Sequence, residues 1–408
     1  MELANVSDSK PGIDCAAHTG GYATVGPPRV VLSEKWFRST AMATARLCEG
    51  GGVYFELNRT DLHDTRFVAG EPPELADGEA LLKIESFGLT VNNITYAVFG
   101  DAMNYWAFFP ASDPGWGKLN VWGYARVEES RNSGLAEGVR VYGYLPCASH
   151  LVVVPSRINE KGFTDAAPHR ADLPSAYQGY RDIDTDPVYS ADRENEHILF
   201  FPLFFTSFLI DDFLADENFF GADTVVISSA SSKTAIIAAY LLAKRDGVRV
   251  VGLTSAGNRE FVEGLNIYDS VCLYDSISEL PGERAVYVDI SGDGAVRSDV
   301  HSHYGDQLAH SSTVGATHWN QMAAGTGELA GPSPVFFFAP DRITKRGSDW
   351  GTAELDRKVA ESWAPFAQWV AGWLRVDQIS TEDEIRRAYL ELLDGKVDAT
   401  SGIVVNLS

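Results

Sequence analysis

The segment Thr224–Lys244, which reads TVVISSASSKTAIIAAYLLAK, constrains the fold of this chain most. An apolar strand is predicted over Thr224–Ile227, followed by a turn of small residues over Ser228–Ser232 and an apolar helix over Thr234–Lys244. A strand that passes through small residues directly into a helix lets the backbone approach a phosphate closely, with the first helical amides pointing at the anion. The segment therefore predicts a dinucleotide-binding unit.

The turn departs from the usual glycine fingerprint. Ser229, Ser232 and Ala235 stand where Gly-x-x-Gly-x-x-Gly has its glycines, and the hydroxyl of Ser231 is a further possible donor. Lys233 begins the helix, where its ammonium can reach a pyrophosphate as a point charge, and Thr234 follows it. A nucleoside triphosphatase loop is the alternative, but the glycines of Gly-x-x-x-x-Gly-Lys-Ser/Thr are missing, so this class is disfavoured.

Beyond Ala222 the pattern alternates between strands and helices. The predicted strands are 224–228, 249–253, 270–273, 285–290, 308–312 and 335–338, and the predicted helices are 233–245, 258–265 and 294–304. Alternation of this kind is typical of an α/β fold with a doubly wound parallel sheet covered on both faces, the Rossmann arrangement.

The first half of the chain has a different pattern. From Val53 to Pro155 the segments are short and β-like, which indicates a small antiparallel barrel or sandwich. A charge-dense insert, Arg157–His197, follows, and then an apolar segment, Ile198–Leu214, predicted as a helix between domains. A helix over 381–393 and a strand over 402–406, which can return to the β-rich part, end the chain. The predicted domains are a flexible arm 1–27, a β-rich domain 28–200 with 345–408, and a Rossmann domain 201–344.

Composition limits the partners. The net charge of −23 and pI near 4.7 disfavour a general affinity for nucleic acid or an anionic membrane, because both are polyanions. The sequence has no run of about 18 uncharged apolar residues, and its first residues are polar, so a cytoplasmic protein is expected. The four cysteines are scattered without a C-x-x-C pair, which disfavours structural zinc.

The end of the second Rossmann strand predicts the cofactor. An acidic residue there selects NAD, whereas Arg and small polar residues accommodate the 2′-phosphate of NADP. Here the strand ends in Thr254 and Ser255, followed by Asn258 and Arg259, with no Asp or Glu at the tip. NADPH is therefore favoured over NADH. The alternative is that these residues form only a turn, a cap and a solvated arginine.

Other cofactor candidates follow later strands, because open parallel sheets bind ligands at their carboxyl edge. They are Asp289, Ser291, Gly292, Val314, Gly315 and Phe338. His318 and Trp319 are candidates for contact with a substrate, although a hydrogen-bonded structural histidine is as good an interpretation.

The whole arrangement resembles the medium-chain dehydrogenase/reductase superfamily, in particular its quinone oxidoreductase and enoyl reductase branch. The turn 229–235 lines up with that branch's Gly-Ala-x-Gly-Gly-Val-Gly. Four further segments resemble the family DUF2855: LTVNNITYAVFGD (89–101), VYGYLPCASHLVV (141–153), VDISGDGAVR (288–297) and LAHSSTVGATHW (308–319). The resemblance implies a GroES-like β-rich substrate domain and, as in many relatives, a homodimer. The Gly-His-Glu motif and four-cysteine lobe of the zinc-dependent branch are absent from the sequence, so no metal site is expected.

In zinc-free relatives, the groups that stabilise or protonate the developing oxyanion follow an early strand. Here that segment contains Thr90, Asn92, Asn93 and Tyr96, with Tyr105 further on. Tyr96 or Tyr105 is the expected proton donor, and the two asparagines are expected to orient the substrate. Alternatively, the asparagines cap a helix and Tyr96 packs in the core.

The sequence thus predicts a zinc-independent, NADPH-dependent reductase of an activated C=C or C=O bond. Nearby aromatic residues indicate an apolar or aromatic small-molecule substrate: Tyr105, Trp106, Phe108, Phe109, Trp116 and Trp122. The alternatives are a non-redox enzyme of the lyase or isomerase type that keeps the cofactor, and a sensing or scaffold protein.

Overall fold

A computed structural model describes residues 52–70, 74–314 and 329–407. Its strands are β1 (Gly52–Asn58), β2 (Asp61–Gly70), β3 (Ala80–Leu89), β4 (Trp116–Lys118), β5 (Asn120–Ser130), β6 (Arg140–Pro146), β7 (His150–Val153), β8 (Pro155–Asn159), β9 (Gly162–Asp165), β10 (Gly179–Asp182), β11 (Thr224–Ile227), β12 (Arg249–Thr254), β13 (Ser270–Leu273), β14 (Ala285–Asp289), β15 (Leu308–Thr313), β16 (Val335–Phe336), β17 (Arg375–Ile379) and β18 (Ser401–Asn406). Its α-helices are α1 (Val91–Val98), α2 (Glu194–Asp216), α3 (Lys233–Leu242), α4 (Arg259–Gly264), α5 (Gly294–Tyr304), α6 (Ala339–Asp349), α7 (Thr352–Val370) and α8 (Glu382–Leu393).

The second half of the chain forms a parallel sheet in the order β13-β12-β11-β14-β15-β16. The central strands β11 and β14 are buried along their whole length, as expected for a sheet with helices on both faces. The helix α3 begins at Lys233 because the hydroxyl of Ser232 accepts the amide of Ala235 at 3.3 Å. The predicted Rossmann sheet is confirmed.

The β-rich part is built on a long mixed sheet in the order β17-β18-β3-β5-β6-β10-β9-β8, with β7 also paired to β3. A smaller sheet contains β2, β1 and β4. Strand β18 runs antiparallel to β3, with Ile403 opposite Leu89, so the predicted return of the last strand is confirmed. The insert, predicted only as a charge-dense segment, contributes β8, β9 and β10 to the sheet.

Helix α2 packs against α3, α7 and the strands β3 and β18, and a helix was predicted there over 198–214. Its phenylalanines pack against the aromatic stripe of α7: Phe204 lies 5.2 Å from Trp363, and Phe200 lies 5.7 Å from Phe366, ring centre to ring centre. Within the described chain, α2 together with the short turn before it is the one helix long and apolar enough to cross a membrane. Since 67% of its most apolar window is buried in the protein, α2 is accounted for as a core helix.

Candidate functional site

A cleft of about 1370 Å³ opens at the carboxyl ends of the parallel strands. One wall is the turn after β11 together with residues at the ends of two neighbouring strands. Ile290 follows β14, Thr313 is the last residue of β15, and Val314 follows it. The opposite wall is α1 with an aromatic surface from the β-rich sheet. The cleft therefore lies where open α/β sheets bind ligands.

The phosphate-type turn has the predicted shape. Ser229 adopts the left-handed conformation, with φ of 53°, at a position where the fingerprint has glycine, and its amide donates to Tyr274 Oη at 3.0 Å. The Ser231 hydroxyl accepts from Asn258 Nδ2 at 3.0 Å, which ties the turn to the residues after β12. Ser229, Ser231, Ser232, Lys233, Thr234 and Asn258 all line the cleft.

Lys233 connects the two halves of the molecule. Its Nζ donates to the carbonyl oxygen of Ser401 in β18 at 2.9 Å and lies 5.6 Å from the centre of the Phe200 ring. Burial lowers the pKa of Lys233 to about 8, and the charge of Asp398 opposes this shift. The side chain that was predicted to reach a phosphate is thus held beside the cleft by a single carbonyl.

The tip of β12 carries no carboxylate, as the sequence shows, but its residues lie outside the cleft walls. Thr254 is buried and Ser255 is exposed. Arg259 pairs with Glu263 one turn along α4, Nε to Oε1 at 2.7 Å, and both side chains are about half exposed. Such a surface pair is weak, so an incoming phosphate can replace Glu263.

Three of the predicted cofactor residues have a different role. The carboxylate of Asp289 is fully buried, and its Oδ1 accepts hydrogen bonds at 3.0 Å from the Ser228 hydroxyl, the Ser291 hydroxyl and the Gly292 amide. Its Oδ2 accepts from Arg297 Nε at 2.8 Å. Asp289, Ser291 and Gly292 therefore stabilise the strand ends from behind and do not line the described cleft.

Of the remaining predicted cofactor and substrate residues after the later strands, some line the cleft and others lie outside the described residues. Val314 and Phe338 line the cleft. Gly315, His318 and Trp319 lie outside the described residues.

Tyr96 of α1 faces the cleft with an unusual set of hydrogen bonds. Its Oη accepts from Asn92 Nδ2 at 2.8 Å and from Trp122 Nε1 at 2.9 Å. A phenol oxygen has two lone pairs and one proton, so with both lone pairs in use only the proton remains, to be donated. Burial raises the pKa of Tyr96 well above its usual value, partly opposed by these two donors. Tyr96 is therefore a neutral hydrogen-bond donor at physiological pH.

Thr90 and Asn93 instead begin the helix. The Asn93 Oδ1 accepts the Thr90 amide at 2.6 Å, in a capping box, and the Asn93 Nδ2 donates to the carbonyl of Asn120 at 2.8 Å. Asn93 is 3% exposed and is not part of the described cleft wall, so the expectation that it orients a substrate is replaced by a capping role. Thr90 and Asn92 do line the cleft.

Tyr105 also lines the cleft, where its Oη lies 3.3 Å from the Oη of Tyr177. Of the other aromatic residues predicted there, Trp122 lines the cleft, whereas Trp106 is buried in a core. Trp116 instead lies under the guanidinium of Arg66 at 3.9 Å. The further two, Phe108 and Phe109, are buried in the aromatic cluster behind Tyr96.

Sequence reasoning missed several residues of this wall, three of them aromatic and one an arginine: Tyr142, Tyr177, Phe201 and Arg181. Tyr177 and Arg181 belong to the charge-dense insert, which has no hydrophobic period to mark them. Tyr142 belongs to β6, whose alternation indicated a strand without indicating which face meets the cleft.

The two histidines of α5 contact a hydroxyl and backbone carbonyls outside the cleft. On α5, His301 contacts the Ser311 hydroxyl at 2.9 Å and the Ala330 carbonyl at 2.8 Å, and His303 contacts the Leu280 carbonyl at 3.1 Å. In the part of the chain that the structure describes, no three His, Cys, Asp or Glu side chains are grouped as metal ligands.

A family model described as "Protein of unknown function (DUF2855)" matches residues 87–398, well over half of the chain. The chain belongs to the DUF2855 family. No curated protein sequence matches this DUF2855 chain.

Solved structures share its fold. CurA from Vibrio vulnificus in complex with NADPH matches with a TM-score of 0.54 and 15% identity, over 87% of this chain and 98% of that one. The CurK enoyl reductase matches with a TM-score of 0.50 and 14% identity, over 88% of this chain and 99% of that one. The yhdH oxidoreductase from Salmonella enterica in complex with NADP matches with a TM-score of 0.50 and 13% identity, over 88% of this chain and 100% of that one. At these identities the likeness establishes the fold alone, so the predicted fold, a Rossmann-type parallel sheet with a β-rich part, is confirmed.

Proposed function

We propose that this DUF2855 chain is an NADPH-dependent, zinc-independent reductase of an activated C=C or C=O bond in a moderately apolar small molecule. The observation that carries the proposal is the position of Tyr96. Its phenol has both lone pairs engaged and a proton free to donate, and it lines the same cleft as the phosphate-type turn 229–234. Two proteins of the same fold were solved with NADPH or NADP.

The residues of the turn fit a dinucleotide. The hydroxyl of Ser231 and the amides at the start of α3 line the cleft, with the ammonium of Lys233 beside them. Asn258 adds an amide group, and Ser255 and Arg259 at the surface are the candidates for the 2′-phosphate. Bound NADPH would supply a hydride.

Tyr96 supplies the complementary group for the substrate. A neutral phenol that cannot turn its proton toward Asn92 or Trp122 is preorganised to donate to an oxygen that gains negative charge. Tyr105, close to Tyr177, is the second candidate donor. Aromatic residues on the rest of this wall favour an apolar or aromatic substrate.

The assembly and location are part of the proposal. Strand β16 is the edge of the described parallel sheet, and Val335 and Phe336 there are 54% and 57% exposed. An apolar edge strand supports a homodimer. The acidic composition supports a protein without nucleic-acid or anionic-membrane partners, and we propose that it is cytoplasmic.

A protein of the same fold that does not use the cofactor, with a sensing or scaffold role, is the second candidate. The observation in its favour is the amide of Ser229, which is held by Tyr274 and so is not free for a phosphate.

The test is NADPH oxidation, followed by absorbance, across a panel of aryl enones and aldehydes. We expect Tyr96→Phe to lower kcat about a hundredfold while the Kd for NADPH is unchanged, because the phenol acts on the reacting oxygen. Tyr240→Phe, the same atomic change on α3 outside the cleft wall, is the matched control. Full activity of Tyr96→Phe would remove the assigned role, and no NADPH oxidation with any compound of the panel would contradict the reductase.

A further inference from the structure

The amide of Asn92, next to Tyr96, presents an unused acceptor to the cleft. Asn92 lies one turn before Tyr96 on α1, and both residues line the cleft. The Asn92 Nδ2 donates to Tyr96 Oη at 2.8 Å. The Oδ1 of the same amide has no hydrogen-bond partner among the described residues, and it is not one of their enclosed atoms. An oxygen that can accept two hydrogen bonds is therefore open to a ligand beside the expected proton donor.

Two contacts fix this pair of side chains against the β-rich sheet. Trp122 Nε1, from β5, donates to Tyr96 Oη at 2.9 Å. Asn93 Nδ2, in the first turn of α1, donates to the carbonyl of Asn120, the first residue of the same strand, at 2.8 Å. Because α1 is held to β5 at two points, Asn92 and Tyr96 are preorganised, which lowers the entropy lost on binding.

The spacing between donor and acceptor is short. The phenol of Tyr96 has a proton left to donate, because its lone pairs accept from Asn92 and Trp122. The acceptor, Asn92 Oδ1, belongs to the amide that contacts this phenol, so the two oxygens lie within about 5 Å of each other. A substrate with a carbonyl oxygen on Tyr96 and a hydroxyl on the neighbouring carbon can contact both groups at once.

The surroundings make an unpaired Asn92 Oδ1 costly once a substrate is bound. Phe99, Tyr105 and Trp122 line the same wall of the cleft. An apolar substrate that covers this wall displaces the water from Asn92, and an oxygen that is then left without a donor reduces the binding energy. A substrate hydroxyl that donates to Oδ1 avoids this loss.

The local electrostatics favour a neutral group. Burial raises the pKa of Tyr96, the neighbouring Tyr105 adds to this shift, and the donors Trp122 and Asn92 oppose it, whereas no described carboxylate contributes. A ligand ammonium at this position would therefore be buried without an opposite charge, which is unfavourable. A hydroxyl avoids this cost, and it can also accept from the second proton of Asn92 Nδ2.

We propose that Asn92 is a specificity-determining residue: its Oδ1 accepts a hydroxyl of the substrate while Tyr96 donates to the carbonyl oxygen on the neighbouring carbon. The proposal rests on the proposed reductase function and names its substrate class, α-hydroxy ketones that carry an apolar or aromatic group. A site built to pair with a substrate hydroxyl rejects the analogue that lacks it, because its own polar group is then left unpaired.

Three ketones of similar shape test this site. They are α-hydroxyacetophenone, propiophenone, in which a methyl group replaces the hydroxyl, and α-methoxyacetophenone, which keeps the oxygen but has no proton to donate. Their Kd values are measured by calorimetry on the whole protein, with and without NADP. We expect the hydroxy ketone to bind about tenfold more tightly than either analogue, because both leave Asn92 Oδ1 unpaired.

Substitutions of Asn92 assign the preference to its oxygen. In Asn92→Leu, the preference for the hydroxy ketone should fall to near one while propiophenone still binds, which shows that the cleft is intact. Asn92→Asp keeps an oxygen at this position and should retain the preference. Asn195→Leu is the matched control and should also retain it, because Asn195 on α2 is half-buried like Asn92 but is not part of the cleft wall.

Equal affinities for the hydroxy ketone and propiophenone in the unmodified protein would overturn the proposal. So would a preference that survives Asn92→Leu or is lost in Asn92→Asp, binding of the methoxy ketone as tight as that of the hydroxy ketone, or no binding of any of the three. NADPH oxidation with the hydroxy ketone is measured separately. A binding preference without oxidation counts against the reductase, and oxidation without a preference counts against the hydroxyl site.

Discussion

Lys233 shows how one side chain can serve both the fold and the cofactor. Its ammonium is bound to a single carbonyl of β18 while it lines the cleft beside the phosphate-type turn. Burial that lowers its pKa to about 8 disfavours the charged form in the free protein. A bound phosphate would offset that cost, since an opposite charge nearby favours the ammonium.

The affinity for NADPH should therefore depend on pH through Lys233. Below pH 8 the ammonium is charged and attracts phosphate; as the pH rises through about 8 the free protein loses this proton, so the Kd increases. Calorimetric titrations from pH 6.5 to 9.5 measure this. The Lys233→Met variant should bind NADPH more weakly at pH 7, and its Kd should not change with pH. A Kd that depends on pH as steeply as in the unmodified protein would show that another group titrates.

Among the elements, the short helix α4 is expected to set the choice between NADPH and NADH. The tip of β12 offers no carboxylate to a ribose hydroxyl, and Arg259 at the start of α4 is held only by an exposed pair with Glu263. A 2′-phosphate brings about two negative charges and oxygens for two parallel N–H donors, whereas Glu263 brings one charge and accepts from Arg259 Nε alone.

Arg259→Ala should raise the Kd for NADPH about tenfold and leave that for NADH unchanged, because only the former carries the 2′-phosphate. Glu263→Gln is the matched partner variant: it frees the guanidinium and should tighten NADPH slightly. Competition titrations with the two cofactors measure both variants. Equal losses for NADPH and NADH in Arg259→Ala would remove its phosphate role.

How well the sequence predicts a helix or strand depends on whether its apolar residues recur at a regular spacing and its ends carry recognisable residues. Strand β11 and helix α3 are found within a few residues because apolar runs and a serine cap mark their ends. The elements of the insert Arg157–His197 are too short to show such a pattern. Strands β9 and β10 have four residues each, and Tyr177 lies in a single short turn of helix. Asp289 shows another limit, since nothing in the sequence distinguishes a carboxylate facing the cleft from one that binds the backbone behind it.

At the scale of the whole molecule, the C-terminal segment completes the β-rich sheet. Strand β18 pairs with β3 on one side and β17 on the other, and its carbonyl at Ser401 holds Lys233 of α3. The last strand therefore connects the mixed sheet to the cofactor side, and its packing should affect the stability of the entire fold.

Val405→Ala removes a fully buried side chain from β18 and should lower the free energy of unfolding by about 2 kcal/mol, mainly through the lost burial and the cavity left behind. Gln378→Ala on the neighbouring strand β17 is exposed and should change it by less than about 0.5 kcal/mol. Urea denaturation followed by circular dichroism measures both. Similar effects of the two changes would show that β18 is not a part of the cooperative core.

The most direct measurement for the whole account is a calorimetric titration of the unmodified protein with NADPH and, separately, NADH. The glycine-poor turn, the carboxylate-free tip of β12 and Arg259 together predict saturable binding of one NADPH per chain, about tenfold tighter than NADH. Absence of saturable NADPH binding, or tighter binding of NADH, would contradict the account.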